Sequence, residues 1–155
     1  MFRFNQREAA RRKVVMPMIF RKCAGGVVFF EDSVFLLKNE KQEWVLPKGV
    51  IREKQLPNDV ALERVQKEAG IKASIISAAG ETSYEFYSMT RRQPVCNKIT
   101  WYVMQASSPD YRIAFELGFT DGDYYPIEKA LELVTYSQDK ALVNVAFEKY
   151  KASTK

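Results

Sequence analysis

The spacing of hydrophobic and polar positions changes along the chain, and the first part has the pattern of strands. Residues 20–30, FRKCAGGVVFF, combine β-branched and aromatic residues, and the apolar run SVFLLK resumes after Glu31 and Asp32. This arrangement predicts two antiparallel strands joined by a tight turn. Gly25 and Gly26 within the first strand predict a bulge or a close approach of another backbone.

The next part of the chain has a helical period. Between Asn58 and Gly70 the pattern becomes helical, with apolar positions at Val60, Leu62, Val65 and Ala69. Asn58 is a residue type that caps helix N-termini, and Gly70 is suited to end a helix in the left-handed conformation. The pattern therefore predicts one helix with a start and a stop.

Strand-like segments follow, and helical segments close the chain. The stretches IKASIISAAG, ETSYEFYSM and NKITWYVMQ are rich in Ile, Tyr, Phe, Thr and Trp and predict a β-meander. GDYYPI predicts a last short strand, IEKALELV a short helix, and SQDKALVNVAFEKYKAS a longer helix with Ser137 as its N-cap. The order of elements favours an α/β (α+β) fold with a mixed sheet covered by helices.

Length and composition predict how the chain is divided. With 155 residues and 46% hydrophobic composition, we expect one domain over residues 20–155, preceded by a basic N-terminal arm over residues 1–19. The longest apolar runs are far shorter than the roughly 18 residues of a membrane span, so we expect no membrane association. The N-terminus lacks the apolar core and cleavage site of a signal peptide, which predicts a cytoplasmic protein.

The positive charge is concentrated at the N-terminus. Residues 1–22 contain seven Lys or Arg and only Glu8, a local charge of +6, which leaves −1 for the remainder of the +5 chain. Such an arm is suited to bind the phosphates of a nucleic acid or a nucleotide, but a solvated terminal segment is the favoured interpretation. No RNP-like or helix-turn-helix signature accompanies it.

Histidine is absent from the sequence, and this excludes several kinds of chemistry. A chain without histidine has no Ser-His or Cys-His mechanism, no histidine general base, and no histidine ligand for zinc. Cys23 and Cys96 are far apart and form no CxxC motif, so we expect free, buried thiols. Carboxylates, Lys, Arg, Tyr, backbone groups or a hard metal ion remain as possible carriers of chemistry.

The segment WVLPKGVIREKQLPNDVALERVQKEAGIKA, residues 44–73, resembles the box of the Nudix hydrolases, G-x5-E-x7-R-E-U-x-E-E-x-G-U, where U is aliphatic. Five positions agree, namely Gly49, Val65, Glu68, Gly70 and Ile71. Four functional positions differ, namely Gln55, Glu63, Arg64 and Lys67. The resemblance covers residues 20–150 and implies a sandwich of α, β and α layers with a mixed sheet.

The resemblance also implies a metal-dependent reaction on a nucleoside diphosphate linked to another group, X. Glutamates on one helix face and the box glycine carbonyl hold Mg²⁺ or Mn²⁺ in that family, since oxygen ligands suit these cations. The corresponding metal positions here are Gly49 and Glu68. Glu68 and Glu53 are the catalytic candidates, with Glu53 replacing the missing box glutamate if the loop is rearranged. A further ligand or base could come from Glu81, Glu85, Glu116, Asp121 or Asp123.

Two cations occupy positions where the family has carboxylates. Residues 64, 67, 68 and 71 share one helix face, so Arg64 and Lys67 lie beside Glu68. In one interpretation the helix is structural and is stabilised by the i, i+4 pairs Glu63–Lys67 and Arg64–Glu68. In the other, Lys48, Arg64 and Lys67 form a metal-free cradle for phosphate, a role suited to arginine's planar fork.

Aromatic residues recur in the later strands, at Tyr84, Phe86, Tyr87, Trp101 and Tyr102. They are suited to stack a base, but alternating aromatics in strands usually pack in a core, and we predict core positions for Phe86 and Trp101. Arg91 and Arg92 are predicted at a hairpin tip as solvated charges, with phosphate binding as the alternative.

Two hypotheses follow for the function. The first is a divergent Nudix hydrolase that cleaves a nucleotide-linked pyrophosphate with Mg²⁺ or Mn²⁺. The second is a catalytically impaired Nudix-fold module that uses no metal and binds a nucleotide, a phosphorylated small molecule or an RNA end through its basic site. The sequence leaves the oligomeric state open.

Overall fold

The fold is built on one mixed sheet, described by a computed structural model of residues 17–154. Its strands are β1 (Ile19–Phe30), β2 (Ser33–Lys38), β3 (Trp44–Val45), β4 (Lys48–Val50), β5 (Ala73–Ser88), β6 (Gln93–Ala106) and β7 (Asp121–Pro126). Most of the predicted basic arm over residues 1–19 lies outside the described residues, so the nucleic-acid hypothesis that depends on it stays a prediction.

The predicted hairpin and the predicted later strands are present, with one difference in their boundaries. β1 and β2 pair in antiparallel orientation around the turn at Glu31 and Asp32. The two stretches after residue 70 form the single strand β5, because irregularities between residues 75 and 80 bend the ladder without ending it. Gly80 adopts a φ of 145°, which L side chains rarely tolerate.

The strand order separates this sheet from a simple meander. The order along the sheet is β3-β2-β1-β6-β5, with β4 also paired to β1 and β7 to β2. β5 and β6 form an antiparallel hairpin as predicted, whereas β6 lies parallel to β1 over eleven residue pairs. A parallel neighbour requires a long crossover, which the chain between β1 and β6 supplies. β5 is left as a strand at the end of this order.

Three helices accompany the sheet within residues 17–154, namely α1 (Pro57–Ala69), α2 (Ile127–Leu133) and α3 (Ser137–Ser153), with a 3₁₀ turn at Phe115–Leu117. The predicted stop of α1 is confirmed, since Gly70 is left-handed with a φ of 63°. Both predicted N-caps are wrong. α1 is preceded by Leu56 and begins at Pro57, whose fixed φ suits the first helical position. α3 begins at Ser137 after Tyr136, without a side-chain cap.

Helices pack on both faces of the sheet, which confirms the predicted sandwich. On one face, Val65 of α1 packs in a buried cluster with Phe35 and Met104 of the sheet. On the other face, Leu142 and Tyr150 of α3 pack in a second cluster, whose sheet residues include Phe29, Trp101 and Val103. Both cysteines are free and buried, as expected. No helix in the described range combines the length and apolarity needed to cross a membrane.

Candidate functional site

Strand β4 divides the predicted site residues between the two faces of the sheet. Successive residues of a strand point to opposite faces. Gly49 lies against Arg64 of α1, whereas the ammonium group of Lys48 lies 5.7 Å from the ring centroid of Tyr84 on the other face. The side chains of Lys48 and Arg64 therefore do not converge on one cradle, although Arg64 Nε donates to the Lys48 carbonyl oxygen at 3.3 Å.

On the α1 face, Arg64 closes the carboxylate of Glu68. Arg64 Nη2 and Nε donate to the same Glu68 oxygen at 2.6 and 3.1 Å. The Glu68 side chain is 5% exposed and that of Arg64 is 30% exposed, so the pair is largely removed from water. Of the two predicted i, i+4 pairs, Arg64–Glu68 forms. Glu63 and Lys67 are both exposed, and they form no ion pair among those found between described residues.

Gly49 provides the space that this ion pair requires. A Cβ atom at position 49 would lie 2.5 Å from Cγ and from Cδ of Arg64, and 2.6 Å from its Nε. These atoms belong to the middle of the arginine side chain, which is held at its end by Glu68. A side chain at position 49 is therefore incompatible with the observed position of Arg64. This steric contact explains why residue 49 is a glycine, and no role in metal binding is needed to explain it.

Burial and the neighbouring cations have opposite effects on Glu68. Burial raises the pKa of this carboxyl above its ordinary value. The Arg64 guanidinium opposes that rise, and Lys48 does so to a smaller extent. Arg64 thus supplies, from within the protein, the positive charge that an ionised buried carboxylate needs.

The donors in this region do not fit the metal cluster that the family resemblance implies. Glu68 is engaged by Arg64, and the guanidinium occupies the space beside Gly49. Among residues 17–154, no group of three His, Cys, Asp or Glu side chains is placed to hold a metal ion. Divalent ions require several oxygen ligands, and a fixed cation next to the remaining carboxylate opposes them.

The other predicted residues lie away from the Arg64–Glu68 pair or are exposed. Glu53 lies exposed in the box loop, and Lys67 is exposed on α1. Asp121 and Asp123 are exposed on β7 and accept hydrogen bonds from the backbone of the following residue, at 2.8 and 2.7 Å. Glu81 and Glu116 are also exposed, and Glu85 borders the cleft described next. The catalytic role predicted for Glu53 and Glu68 stays a prediction.

A cleft of about 750 Å³ opens on the opposite face of the sheet. The loop before β3 and the start of α3 border it from one side, and β5 and β6 from the other. Gln138 ties these sides together, because its side chain accepts from the Ser83 N–H at 3.2 Å and donates to the Ser83 carbonyl at 2.8 Å. A cleft of this volume accommodates a nucleotide-sized ligand.

Three polar side chains of the cleft, Glu43, Tyr136 and Asp139, have pKa values shifted from the ordinary ones. The Tyr136 hydroxyl donates a short hydrogen bond to Glu43, which also accepts from Asn39. These two hydrogen bonds lower the pKa of Glu43, and the bond to Glu43 raises the pKa of Tyr136 to about 12. Burial raises the pKa of Asp139, and Lys48 opposes this rise. Lys48 therefore acts electrostatically on both the cleft and the box.

The rim of the cleft contains a stacked aromatic pair that the sequence did not predict correctly. Tyr84 and Phe86 have ring centroids 5.8 Å apart and an interplanar angle of 28°. They are 41% and 38% exposed, so the predicted core position of Phe86 is wrong, whereas Trp101 is buried as predicted. Phe86 lies on β5, the last strand in the sheet order, where its ring stacks on Tyr84 at the rim of the cleft.

Asn97 of β6 organises this rim, and sequence reasoning missed it. It is only 3% exposed, its Nδ2 donates to the Tyr84 hydroxyl at 2.7 Å, and its Oδ1 accepts from Arg21 Nε at 2.9 Å. The Arg21 guanidinium lies 5.6 Å from the ring centroid of Phe86. Tyr136 and Asp139 of the cleft were missed as well. A polar residue inside the strand pattern NKITWYVMQ was the one signal that indicated Asn97.

Comparison with known proteins identifies the fold. No protein-family model matches the chain. A Mycobacterium tuberculosis protein named as mutator protein MutT4 is 28% identical over 110 residues, which cover 68% of this chain and 41% of that protein. This chain therefore spans less than half of that relative's length.

Solved structures resemble a larger share of the chain. A Caenorhabditis elegans Ap4A hydrolase in a binary complex has a TM-score of 0.64 and 17% identity, covering 85% of this chain and 98% of that one. A NUDIX hydrolase from Nitrosomonas europaea has a TM-score of 0.65 and 13% identity, covering 88% and 75%. The chain therefore has the fold of the Nudix hydrolase superfamily, as the box at residues 49–71 predicted.

Proposed function

We propose that this protein binds a nucleoside diphosphate linked to a further group, in the cleft, without a metal cluster in the box. The observation that carries the proposal is the position of Lys48, whose ammonium group lies in the cleft beside the Tyr84 ring. Aromatic walls beside a cation such as Lys48 suit a ligand that has a flat base and a phosphate. The names of the similar proteins, which include an Ap4A hydrolase, support a nucleotide ligand.

The charges along the cleft favour one orientation of that ligand. Four carboxylates and two lysines line it, namely Glu40, Glu43, Glu85, Asp139, Lys41 and Lys48. Phosphate is repelled by the carboxylates, so its favourable position is at Lys48. Glu43 accepts hydrogen bonds from Tyr136 and Asn39. The carboxylates of Glu43 and Asp139 are suited to receive the N–H groups of a purine base. The base then lies towards Tyr136 and the phosphates towards β4.

The ion pair of Arg64 and Glu68 on the α1 face is the reason to favour a binding function over hydrolysis. Metal-dependent cleavage of a pyrophosphate, the reaction of the Nudix hydrolases, is the alternative. In this chain it would require Arg64 to leave Glu68 and further oxygen ligands to come from elsewhere. The retained Gly49 does not support that reaction by itself, because its contact with Arg64 explains it. Mg²⁺ or Mn²⁺ therefore belongs to the alternative.

Calorimetric titration of the full chain with ADP-ribose and with Ap4A, in the presence of EDTA, tests the proposal. We expect binding that persists in EDTA and weakens about tenfold or more in Lys48→Met, because a charged hydrogen-bond partner is lost. Lys67→Met is the matched control, since it removes the same group from an exposed position on α1. We expect that control to bind within about twofold of the wild-type protein.

Three other results would contradict the proposal. Phosphate release from either compound that requires Mg²⁺ or Mn²⁺ and disappears in Glu68→Gln would establish the hydrolase alternative. Equal weakening by Lys48→Met and Lys67→Met would place the phosphates on α1 instead of in the cleft. Absence of binding to a panel of nucleoside diphosphate derivatives at millimolar concentration would reject a nucleotide ligand.

A further inference from the structure

The rim of the cleft contains two exposed aromatic rings with a cation beside each. Tyr84 and Phe86 stack on one another, Lys48 lies 5.7 Å from the Tyr84 centroid, and Arg21 lies 5.6 Å from the Phe86 centroid. We propose that this surface, the stacking platform of Arg21, Lys48, Tyr84, Phe86 and Asn97, binds single-stranded nucleic acid. The platform shares Lys48 and Tyr84 with the proposed nucleotide site, whereas Arg21 and Asn97 belong to the platform alone.

The platform is held in place by a buried side chain. Asn97 is almost completely buried and contacts Arg21 and Tyr84 at the same time, one through its oxygen and the other through its nitrogen. A solvated surface ring or arginine does not need such a partner. Because Asn97 already fixes both groups, a ligand that uses them has less side-chain entropy to overcome when it binds.

The local charge complements a polyanion. Arg21 and Lys48 lie beside the rings, and Arg91 and Arg92 lie in the turn that joins β5 to β6. Lys22 and Lys98 are the next residues of their strands after Arg21 and Asn97 and point to the opposite face. Arg91 and Arg92 are exposed in the predicted hairpin turn. In sequence, residues 1–16 add Arg3, Arg7, Arg11, Arg12 and Lys13 before β1.

Single strands fit this chemistry better than duplexes do. Bases stack on aromatic side chains only when their faces are accessible, which is the case in single strands and not within a double helix. Cations beside the rings add attraction to phosphates and to the aromatic faces. Such binding is sequence-tolerant and is weakened by salt. A second copy of this chain, paired at β5, is the competing occupant, and it is an outcome of the test.

Fluorescence anisotropy with a labelled oligouridine RNA of about 12 nucleotides tests the platform. We expect Phe86→Leu to weaken binding by about fivefold or more, as loss of base stacking does. Tyr87→Leu is the matched control, because Tyr87 is the next residue of β5, is 53% exposed and points to the opposite face. We expect the control to remain within about twofold of wild type. Thermal denaturation of both variants shows that each is folded.

A second variant tests the contribution of charge. We expect Arg21→Gln to weaken RNA binding several-fold. It should also reduce the slope of log K against log salt by about 0.7 for each RNA phosphate that the variant no longer neutralises. Lys151→Gln is the control, since Lys151 pairs with Asp32 on a distant part of the chain. We expect it to leave that slope unchanged.

Three results would overturn the proposal. The first is an equal loss of RNA binding in Phe86→Leu and Tyr87→Leu. The second is a duplex of the same length that binds as tightly as the single strand. The third is light scattering that shows a dimer dissociated by Phe86→Leu, which would assign the platform to self-association. ADP-ribose binding to Arg21→Gln separates the platform from the cleft, because Phe86 lines the cleft and Arg21 does not. We expect Arg21→Gln to weaken RNA binding and to leave ADP-ribose binding unchanged.

Discussion

Charged groups lie in different environments on the two faces of the sheet. On the α1 face, Glu68 is buried and closed by Arg64, which lies against Gly49. On the other face, Lys48 lies in an open cleft beside an exposed aromatic ring. The carboxylate of the motif is therefore buried against an arginine in this chain, and Lys48, immediately before the motif, lies in the cleft on the opposite face.

This difference shows how a motif can keep its frame and change its use. An ionised carboxylate in a low-dielectric environment needs a partner charge, and either a bound ion or a side chain can supply it. In this chain Arg64 supplies it through two hydrogen bonds to one oxygen of Glu68. Function follows such local arrangements and not the fold, which many different activities share.

Removal of Arg64 should have the largest effect on the α1 face. We expect Arg64→Met to lower the free energy of unfolding by about 2 to 3 kcal/mol at pH 8, because it leaves a buried carboxylate without its partner. Breaking a fully buried ion pair typically costs about 3 to 5 kcal/mol. We expect a smaller loss here because Arg64 is partly exposed. Urea denaturation measures the change, and Lys67→Met should remain within about 0.5 kcal/mol of wild type.

The same variant should become more stable, relative to wild type, as the pH falls. The pKa of Glu68 is raised by burial, so the folded state retains a proton that the unfolded chain releases. The cost of ionised Glu68 is fully present above its folded pKa, falls as the pH decreases through that value, and vanishes below the ordinary pKa of 4.5. A pH-independent deficit would show that Arg64 acts through packing alone.

A Cβ at position 49 should have the next largest effect. We expect Gly49→Ala to destabilise the protein by about 1 to 2 kcal/mol, because the added atom displaces the Arg64 side chain. In an Arg64→Ala background the same change should cost much less, since its steric partner is gone. Chemical denaturation of the four proteins gives the coupling. Additive effects would mean that Gly49 is required by the strand conformation instead.

The smallest effect is expected on the open face. We expect Tyr136→Phe to reduce stability by about 0.5 kcal/mol, because its hydrogen bond to Glu43 is exposed to solvent. The pKa of Glu43 is lowered in the folded state, so its contribution is present above the ordinary value of 4.5 and is lost as the pH falls below it. NMR titration of Glu43 should show its pKa move up in the variant. An unchanged Glu43 titration would contradict this assignment.

The elements that depend on neighbouring residues in sequence were predicted well. The hairpin of β1 and β2, the helix that ends at Gly70, and the C-terminal helices follow from local periodicity and from turn and stop residues. The two N-caps were missed, because Pro57 outweighs the capping preference of Asn58 and α3 begins at Ser137 without a side-chain cap. The parallel pairing of β6 with β1 was missed as well, since residues about 76 apart in sequence create it.

Some features of the candidate site also followed from the sequence, and others depended on the tertiary structure. The sequence by itself determined the Nudix frame, the charge reversal at Arg64 and Lys67, and the i, i+4 spacing of Arg64 and Glu68, because these depend on residue order and helix geometry. Only the tertiary structure decided that Lys48 and Arg64 lie on opposite faces, that Gly49 accommodates Arg64, and that Phe86 is exposed. Those outcomes depend on which strands and helices meet across the sheet, and burial arises from such long-range packing and not from local pattern.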